Sequence, residues 1–420
     1  RFKCDWSSDV CSSDLNHSYI KECPITGHDE QIKYFDLGNI PLVNNLCNSR
    51  EEALNAERFP LNVNYYPASG ESSLNFAVDS ELLFKNYLFK SEVNIPYIEH
   101  CKEMFRFIQN YVKIQDGTKI VDIGGNDGTL LAAFKETTTK QIDVLNIDPS
   151  ENLAPLSQAK GIPTLTTFFT SEVASTQPKV DIVTSTNVFQ HLKDINGFAE
   201  GVSKMLNKNG IWVLEFPYWI HDMKTNQFDQ IYHEHMYYHS VTPMKMMMEK
   251  HGMKLINVTK QNIHGGTLRL IMTPKQSKFT PDITVEAYLQ LEKNYGLDYH
   301  IKWGEQVQNH IKESRNFIKK IKNSGKTIYG FGAAAKGCIY LNAMGLTDNH
   351  IDYIIDDTDL KQGKYVPGTG IEIVSRDILK TKQPDYILIL AHNFADFIME
   401  SLKESYTGNF IILIPNIRTV

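Results

Sequence analysis

Short apolar runs alternate with glycine turns along most of the chain. Lys119-Ile-Val-Asp-Ile123 is a β-branched run, Gly124-Gly-Asn-Asp-Gly128 a turn, and Thr129-Leu-Leu-Ala-Ala-Phe134 the opening of a helix. The same strand, glycine turn and helix start recur over Thr327–Gly337, with Ile351–Asp356 as a following strand. Val144–Asp148, Val180–Asn187 and Gly210–Pro217 read as further strands, and Tyr386–Ala391 and Phe410–Pro415 have the length of buried ones. Between the two patterns, Gln276–Asn323 is charged and amide-rich, with Leu289, Leu291, Tyr295, Leu297, Ile311, Phe317 and Ile321 in helical periodicity. Towards the N-terminus, Asp36–Pro41 has loop chemistry, and helices are predicted from about Asp79 and around Tyr97–Val112. The pattern predicts an α/β protein with an N-terminal module over 16–95, a first α/β domain over 96–275, a helical connector over 276–323 and a second α/β domain over 324–420. No run approaches the ~18 consecutive apolar residues of a membrane span.

The chain has 420 residues, 42% of them hydrophobic and 22% charged, with a formal net charge of −6. That balance excludes a disordered chain and argues against a general nucleic-acid binder, which carries a basic face. A small-molecule partner is expected, with neither nucleic acid nor membrane, and monomer and dimer remain open. Cys4–Leu15 reads as the translation of a sequencing-library adapter, so residues 1–15 are set aside. Cys23, Cys47, Cys101 and Cys338 then remain, with no Cys-x-x-Cys and no disulfide-like spacing. A reducing, cytoplasmic location is expected, since no secretory apolar segment precedes them.

The first glycine loop departs from the dinucleotide pattern. Glycines stand at 124, 125 and 128, and the preceding strand carries an acid, Asp122. An acid-first loop suits a ligand with an ammonium and a sulfonium, such as S-adenosylmethionine (SAM), better than one with a pyrophosphate. Asp148, ending the next strand, is placed to accept ribose hydroxyls. Asn126 and Asp127 in the turn, and Asn187 and His191 at the edge of the Val180–Asn187 strand, complete the candidate cofactor residues.

Tyr232-His-Glu-His235 concentrates four phenolic or titratable groups in four positions. Carbon methylation needs a base for a proton α to a carbonyl, groups that hold the enolate, and an aligned methyl donor. An imidazole, a phenol and a carboxylate supply the first two. His233 and His235 are spaced for a metal, but no further ligand set accompanies them. His264-Gly-Gly-Thr-Leu-Arg269 adds a glycine pair and a guanidinium suited to a phosphate or to packing against the sheet; His264 fits either a functional or a structural role. In the second glycine loop, Lys336 stands at a helix start suited to an anion, and Lys361 follows on a turn that is as well explained by solvation.

From about Cys23 onward the chain resembles the C-3 methyltransferases of nucleotide-linked 3-keto-deoxysugars. The motifs are VDIGGNDGTLL (121–131), NVFQH (187–191), FDQIYHEH (228–235), HGGTLR (264–269), GFGAAAKG (330–337) and KQGKYVPGT (361–369). The resemblance implies a class I SAM methyltransferase domain of Rossmann-like form, a second Rossmann-like domain closing over the nucleotide, and a small N-terminal zinc module. It makes His235 the base, with Glu234 and Tyr232 assisting and Tyr87 contributed by Phe84-Lys-Asn-Tyr87-Leu-Phe89, where Phe89 replaces a second tyrosine of the family. It places His264, Arg269, Lys336 and Lys361 at the substrate. The zinc module is degenerate here: Cys23-Pro-Ile-Thr26 keeps one cysteine and Tyr66-Pro-Ala-Ser69 none, so zinc is expected to be absent. The implied function is SAM-dependent C-methylation of a nucleotide-activated keto-deoxysugar. O- or N-methylation of a related sugar, a nicotinamide oxidoreductase using the second glycine loop, and a non-catalytic nucleotide or SAM scaffold are the alternatives.

Overall fold

The computed structural model describes residues 17–79, 82–83, 95–263 and 265–420. Tyr87, its flanking Phe84 and Phe89, and His264 lie outside the described residues.

The largest sheet has seven strands. Numbered along the chain they are Lys119–Ile123, Asp143–Ile147, Thr164–Leu165, Val180–Thr186, Leu206–Pro217, Met253–Gln261 and Thr267–Pro274, and in space they run 3-2-1-4-5-7-6. The first five are parallel, and the last pairs antiparallel with both of its neighbours. This is the class I methyltransferase sheet. Its central strands are apolar on both faces because helices cover both; Ile182, Val183, Ile211 and Val213 are fully buried. The strand order reverses between the first and fourth strands, and the crevice outside their carboxyl ends is where an open α/β sheet receives its ligand.

The C-terminal sheet repeats the logic with six strands. Its order is Ile373–Val374, Tyr353–Ile355, Ile328–Phe331, Tyr386–Ile389, Asn409–Ile412 and Arg418–Thr419, parallel except for the last. Its reversal point lies between Ile328–Phe331 and Tyr386–Ile389, so the glycine turn after Phe331 and the His392 turn emerge side by side.

The N-terminal sheet is antiparallel and not self-contained. Ile32–Pro41, Arg58–Tyr66 and Glu71–Leu74 pair in order, and Tyr237–Tyr238 from the far side of the methyltransferase domain forms the fourth strand. The predicted connector is two helices, Ile283–Glu292 and the 27-residue Leu297–Asn323. The longer one also packs on this sheet. A Cβ at Gly304 would stand 2.3 Å from the Tyr34 carbonyl oxygen, so only glycine lets the helix approach that closely. Trp303 packs against Phe35, ring centres 5.2 Å apart, and one buried apolar cluster runs through all three parts of the molecule.

The expected zinc turns do come together. Cys23 Sγ lies 3.2 Å from Ser69 Oγ, both buried, with each turn closed by a glycine in the left-handed region, Gly27 and Gly70. One thiol facing one hydroxyl does not fit a four-ligand zinc site. No helix among the described residues is long and apolar enough to cross a membrane.

Two buried histidines join this sheet to its neighbours. His233 shares a hydrogen bond with the Phe59 carbonyl at 3.3 Å, and His300 packs on Tyr34 and Tyr65 while bonding the Gly296 carbonyl at 3.0 Å. Burial lowers the pKa of each to about 4. Folding therefore favours their neutral forms: the unfolded chain binds more protons between pH 6.5 and 4, and stability falls as pH drops through that window. The expected loss is on the order of 3 kcal/mol for each histidine, read from urea unfolding midpoints at pH 7 and pH 4.5. His300→Phe should flatten part of that slope.

Candidate active site

The cofactor crevice is built by backbone first. Gly124 leaves the first strand at φ +70°, and Asn126 is also left-handed at φ 53°, so the turn doubles back over the strand end. A Cβ at Gly125 would lie 2.5 Å from both Asp122 Oδ2 and Asn146 Oδ1. Those two oxygens are buried and have no hydrogen-bond partner among the described residues. Gly125 thus keeps open a cradle lined by two unsatisfied acceptors, which costs free energy unless a donor arrives. Asp122 Oδ1 accepts from Thr184 Oγ1 at 2.7 Å, but burial, with Asp148 adding repulsion, pushes the Asp122 carboxyl up to about 7. A cationic ammonium fits this position, and SAM carries one.

Asp148 is fixed by the loop it serves: its oxygens accept from the Asn126 amide at 2.8 Å and the Ser150 amide at 2.8 Å. Asn187, left-handed at φ 55°, donates its amide to the Glu215 carbonyl at 2.8 Å on the opposite lip of the crevice. Asn146 was not among the residues expected from sequence. Its signal was two-residue alternation, since it shares a strand with Asp148 and faces the same side.

Two expected contacts are corrected. Asp127 turns away from the crevice: its carboxylate accepts from the Thr129 amide and hydroxyl, at 3.2 and 2.6 Å, and pairs with Lys160 at 3.3 Å, bracing the helix start. Arg269 was expected at a phosphate or packed against the sheet, and the structure shows the second. It is fully buried in the sheet, donating to Glu215 at 2.7 Å and to Glu103 at 2.9 Å, with Phe107 beneath its guanidinium at 5.3 Å. Arg269 and Glu215 are direct cross-strand partners, so the ion pair is satisfied inside the fold, where no substrate reaches.

The candidate catalytic segment follows the fifth strand. His235 Nδ1 lies 2.9 Å from the Gln230 carbonyl, which can only accept, so Nδ1 carries the ring proton. Nε2 then holds a lone pair, and Tyr232 Oη donates to it at 2.6 Å. Burial first, then the neighbouring His191 and the charge of Lys336, hold the His235 pKa well below its ordinary value, so the imidazole is neutral. His191, expected to contact the cofactor, bridges instead. It donates Nδ1–H to the Glu234 carbonyl at 2.6 Å, and its ring stands edge-on to His235 with centres 4.8 Å apart. Among the described residues the Glu234 carboxylate bonds no histidine; its Oε1 accepts from Asn44 Nδ2 at 2.7 Å.

The second α/β domain closes on the same segment. His392, half-buried, pairs with the buried Asp229 at 3.1 Å, and Lys336 lies close enough for its charge to act on Asp222, Asp229 and His235. Lys361 folds onto its own glycine loop, donating to the Ala333 carbonyl at 2.9 Å with Asp356 at 3.3 Å. Sequence reasoning passed over Asp222, Asp229 and His392, because nothing local marks three residues that meet across a domain boundary.

Residues 97–258 match a family model described as a methyltransferase domain, and residues 262–415 one described as the C-methyltransferase C-terminal domain. The C-methyltransferase NovU of Streptomyces niveus is 30% identical over 413 residues, spanning 96% of this chain and 97% of that protein. Two solved structures show slighter likeness, on which nothing here rests. The magnesium protoporphyrin IX methyltransferase of Synechocystis PCC 6803 covers 42% of this chain and 82% of its own at 14% identity, TM-score 0.33. The N-methyltransferase NodS of Bradyrhizobium japonicum WM9 covers 45% and 99% at 12% identity, TM-score 0.33.

The Asp122 cradle makes a thermodynamic prediction. Near pH 7 its carboxyl is partly protonated, and a bound ammonium favours the ionised form, so SAM binding should release protons. Calorimetry in two buffers of different ionisation enthalpy reads this directly. Asp122→Asn should abolish the release and weaken SAM binding ~10-fold or more, the scale of a lost charged hydrogen bond.

Proposed function

The chain belongs to the SAM-dependent C-methyltransferases, and we propose that it methylates a ring carbon of a nucleotide-activated keto-deoxysugar, α to the carbonyl. The observation that carries the reading is the Tyr232–His235 pair. A neutral, buried imidazole with its lone pair held on a phenol is a base set for a weakly acidic proton, and a hydroxyl methyltransferase needs no such relay.

Tyr232 is the more accessible of the two, and His235 lies behind it. In the proposed sequence the α C–H bond of the sugar breaks, its electron pair forms the enolate, and its proton passes to the Tyr232 oxygen as the phenolic proton moves to His235 Nε2. The Gln230 carbonyl keeps Nδ1 protonated throughout and stabilises the imidazolium that forms. SAM, when bound, supplies a methyl group on a sulfonium leaving group. The Asp122 cradle and Asp148 would hold its methionine and ribose ends, so that the chain aligns donor and enolate while the buried wall excludes water. Lys336 and His392 would bring the second domain over the nucleotide end, and family membership sets the oxidoreductase and scaffold readings aside. Asp229, paired with His392 at 3.1 Å, joins that domain to the segment.

Two partial reactions test this. In D₂O without methyl donor, the enzyme should exchange the α hydrogen of a nucleotide keto-sugar; with SAM, the product methyl should correlate by NMR to a ring carbon and not to an oxygen-bearing methoxy carbon. His235→Asn and Tyr232→Phe should each slow exchange by ~10²-fold with SAM affinity near wild type. Methylation without α exchange, or loss of SAM binding in His235→Asn, would overturn the assignment of the base.

A second outcome follows from the charge on Lys336. Lys336→Met removes a positive field from His235, so the His235 pKa rises, and the acid limb of kcat against pH should move to higher pH. Lys361→Met, which touches only its own loop, should leave that limb in place.

A further inference from the structure

We propose that Asn44 of the N-terminal module is the positioning residue of the catalytic glutamate: its amide holds Glu234 by Oε1 and leaves Oε2 for a donor on the sugar. The inference rests on the proposed function and on Glu234 as a group assisting there, which the resemblance implies. Asn44 follows the first strand of the N-terminal sheet, 190 residues before Glu234, and contacts it at 2.7 Å. Glu234 is only 2% exposed, and its Oε2 is buried without a partner among the described residues. An exposed asparagine on a neighbouring module therefore supplies the side-chain hydrogen bond that this carboxylate has.

The surrounding backbone makes the contact rigid. Met236 donates to the Gln190 carbonyl at 2.7 Å, the Met236 carbonyl accepts from the Leu74 amide at 2.9 Å, and Tyr237–Tyr238 completes the N-terminal sheet. Three residues past Glu234, the chain is thus a strand of the same module that carries Asn44. The placement also accounts for the survival of that module with one thiol in place of a metal site: its sheet still presents Asn44.

Burial raises the Glu234 pKa, the Asn44 hydrogen bond lowers it, and its own amide lowers it further. The titratable neighbours are His233 and His235 on its own segment and His191, which donates to its carbonyl; all three are held neutral by burial. Asn44 is then the neighbour whose loss should move the titration of Glu234.

The test uses the full chain labelled with carboxyl-¹³C glutamate, with the Glu234 resonance assigned by Glu234→Gln. Asn44→Ala should raise the Glu234 midpoint by about one pH unit. The isosteric Asn44→Asp, which replaces the donor by a like charge, should raise it further, with the urea unfolding midpoint near wild type. In methyl transfer, both variants should lower kcat ~10-fold with SAM affinity unchanged. A role in packing alone would leave Asn44→Asp titrating as wild type does, and that result overturns the proposal. If the midpoints move but wild type methylates no keto-sugar, the Asn44 assignment stands and the substrate reading falls.

Discussion

Burying Phe228–His239 leaves polar groups that no single sheet of this molecule can satisfy, and that requirement ties the three parts together. A buried backbone amide or carbonyl without a partner costs about as much as a lost hydrogen bond. Here the partners come from everywhere: Phe59, Leu74 and Asn44 from the N-terminal sheet, Gln190 and His191 from the methyltransferase domain, and His392 from the second α/β domain. At its far end His239 bonds Glu71 at 3.1 Å, with both side chains fully buried. The segment Phe228–His239 is therefore less a loop of one domain than the shared interior of three.

That interior sets the chemistry by its polarity. Exposed to water, His235 would be partly protonated near neutral pH and its lone pair partly lost. Enclosed, with Nδ1 committed to a carbonyl, it is neutral and singly oriented. The same burial acts in the opposite sense at Asp122, where it makes a carboxylate costly until a cation reaches it. One wall thus keeps a base uncharged, and another holds an acid that a cationic cofactor would ionise.

The N-terminal sheet holds together with no metal-ligand cluster among its described residues. The two turns that would carry zinc ligands still meet through Cys23 and Ser69, and Tyr66 fills buried space beside them, its hydroxyl 3.2 Å from Ser73. Cohesion that a metal would supply comes from elsewhere: the fourth strand is lent by residues 237–238, and the long helix lies across the first strand through Gly304.

Much of this was legible in the chain itself. The strand and glycine-turn pattern of 119–134 and 327–337, and the acids at 122 and 148, follow from local rules, because a β-branched run, a left-handed turn and a helix start depend on residues within a few positions of one another. The density of Tyr232–His235 marked that segment as the candidate for chemistry for the same reason. Sequence could not show which oxygen or nitrogen each of those groups would face. Glu234 looked like a partner for an imidazole and instead bonds Asn44, Arg269 fitted either a phosphate or the sheet and is paired inside the sheet, and His191 looked like a cofactor contact and holds the Glu234 backbone. Sequence determined which chemical groups are present and on which kind of element. Only the tertiary structure decided their partners and protonation, because both depend on burial and on contacts between residues as far as 190 positions apart.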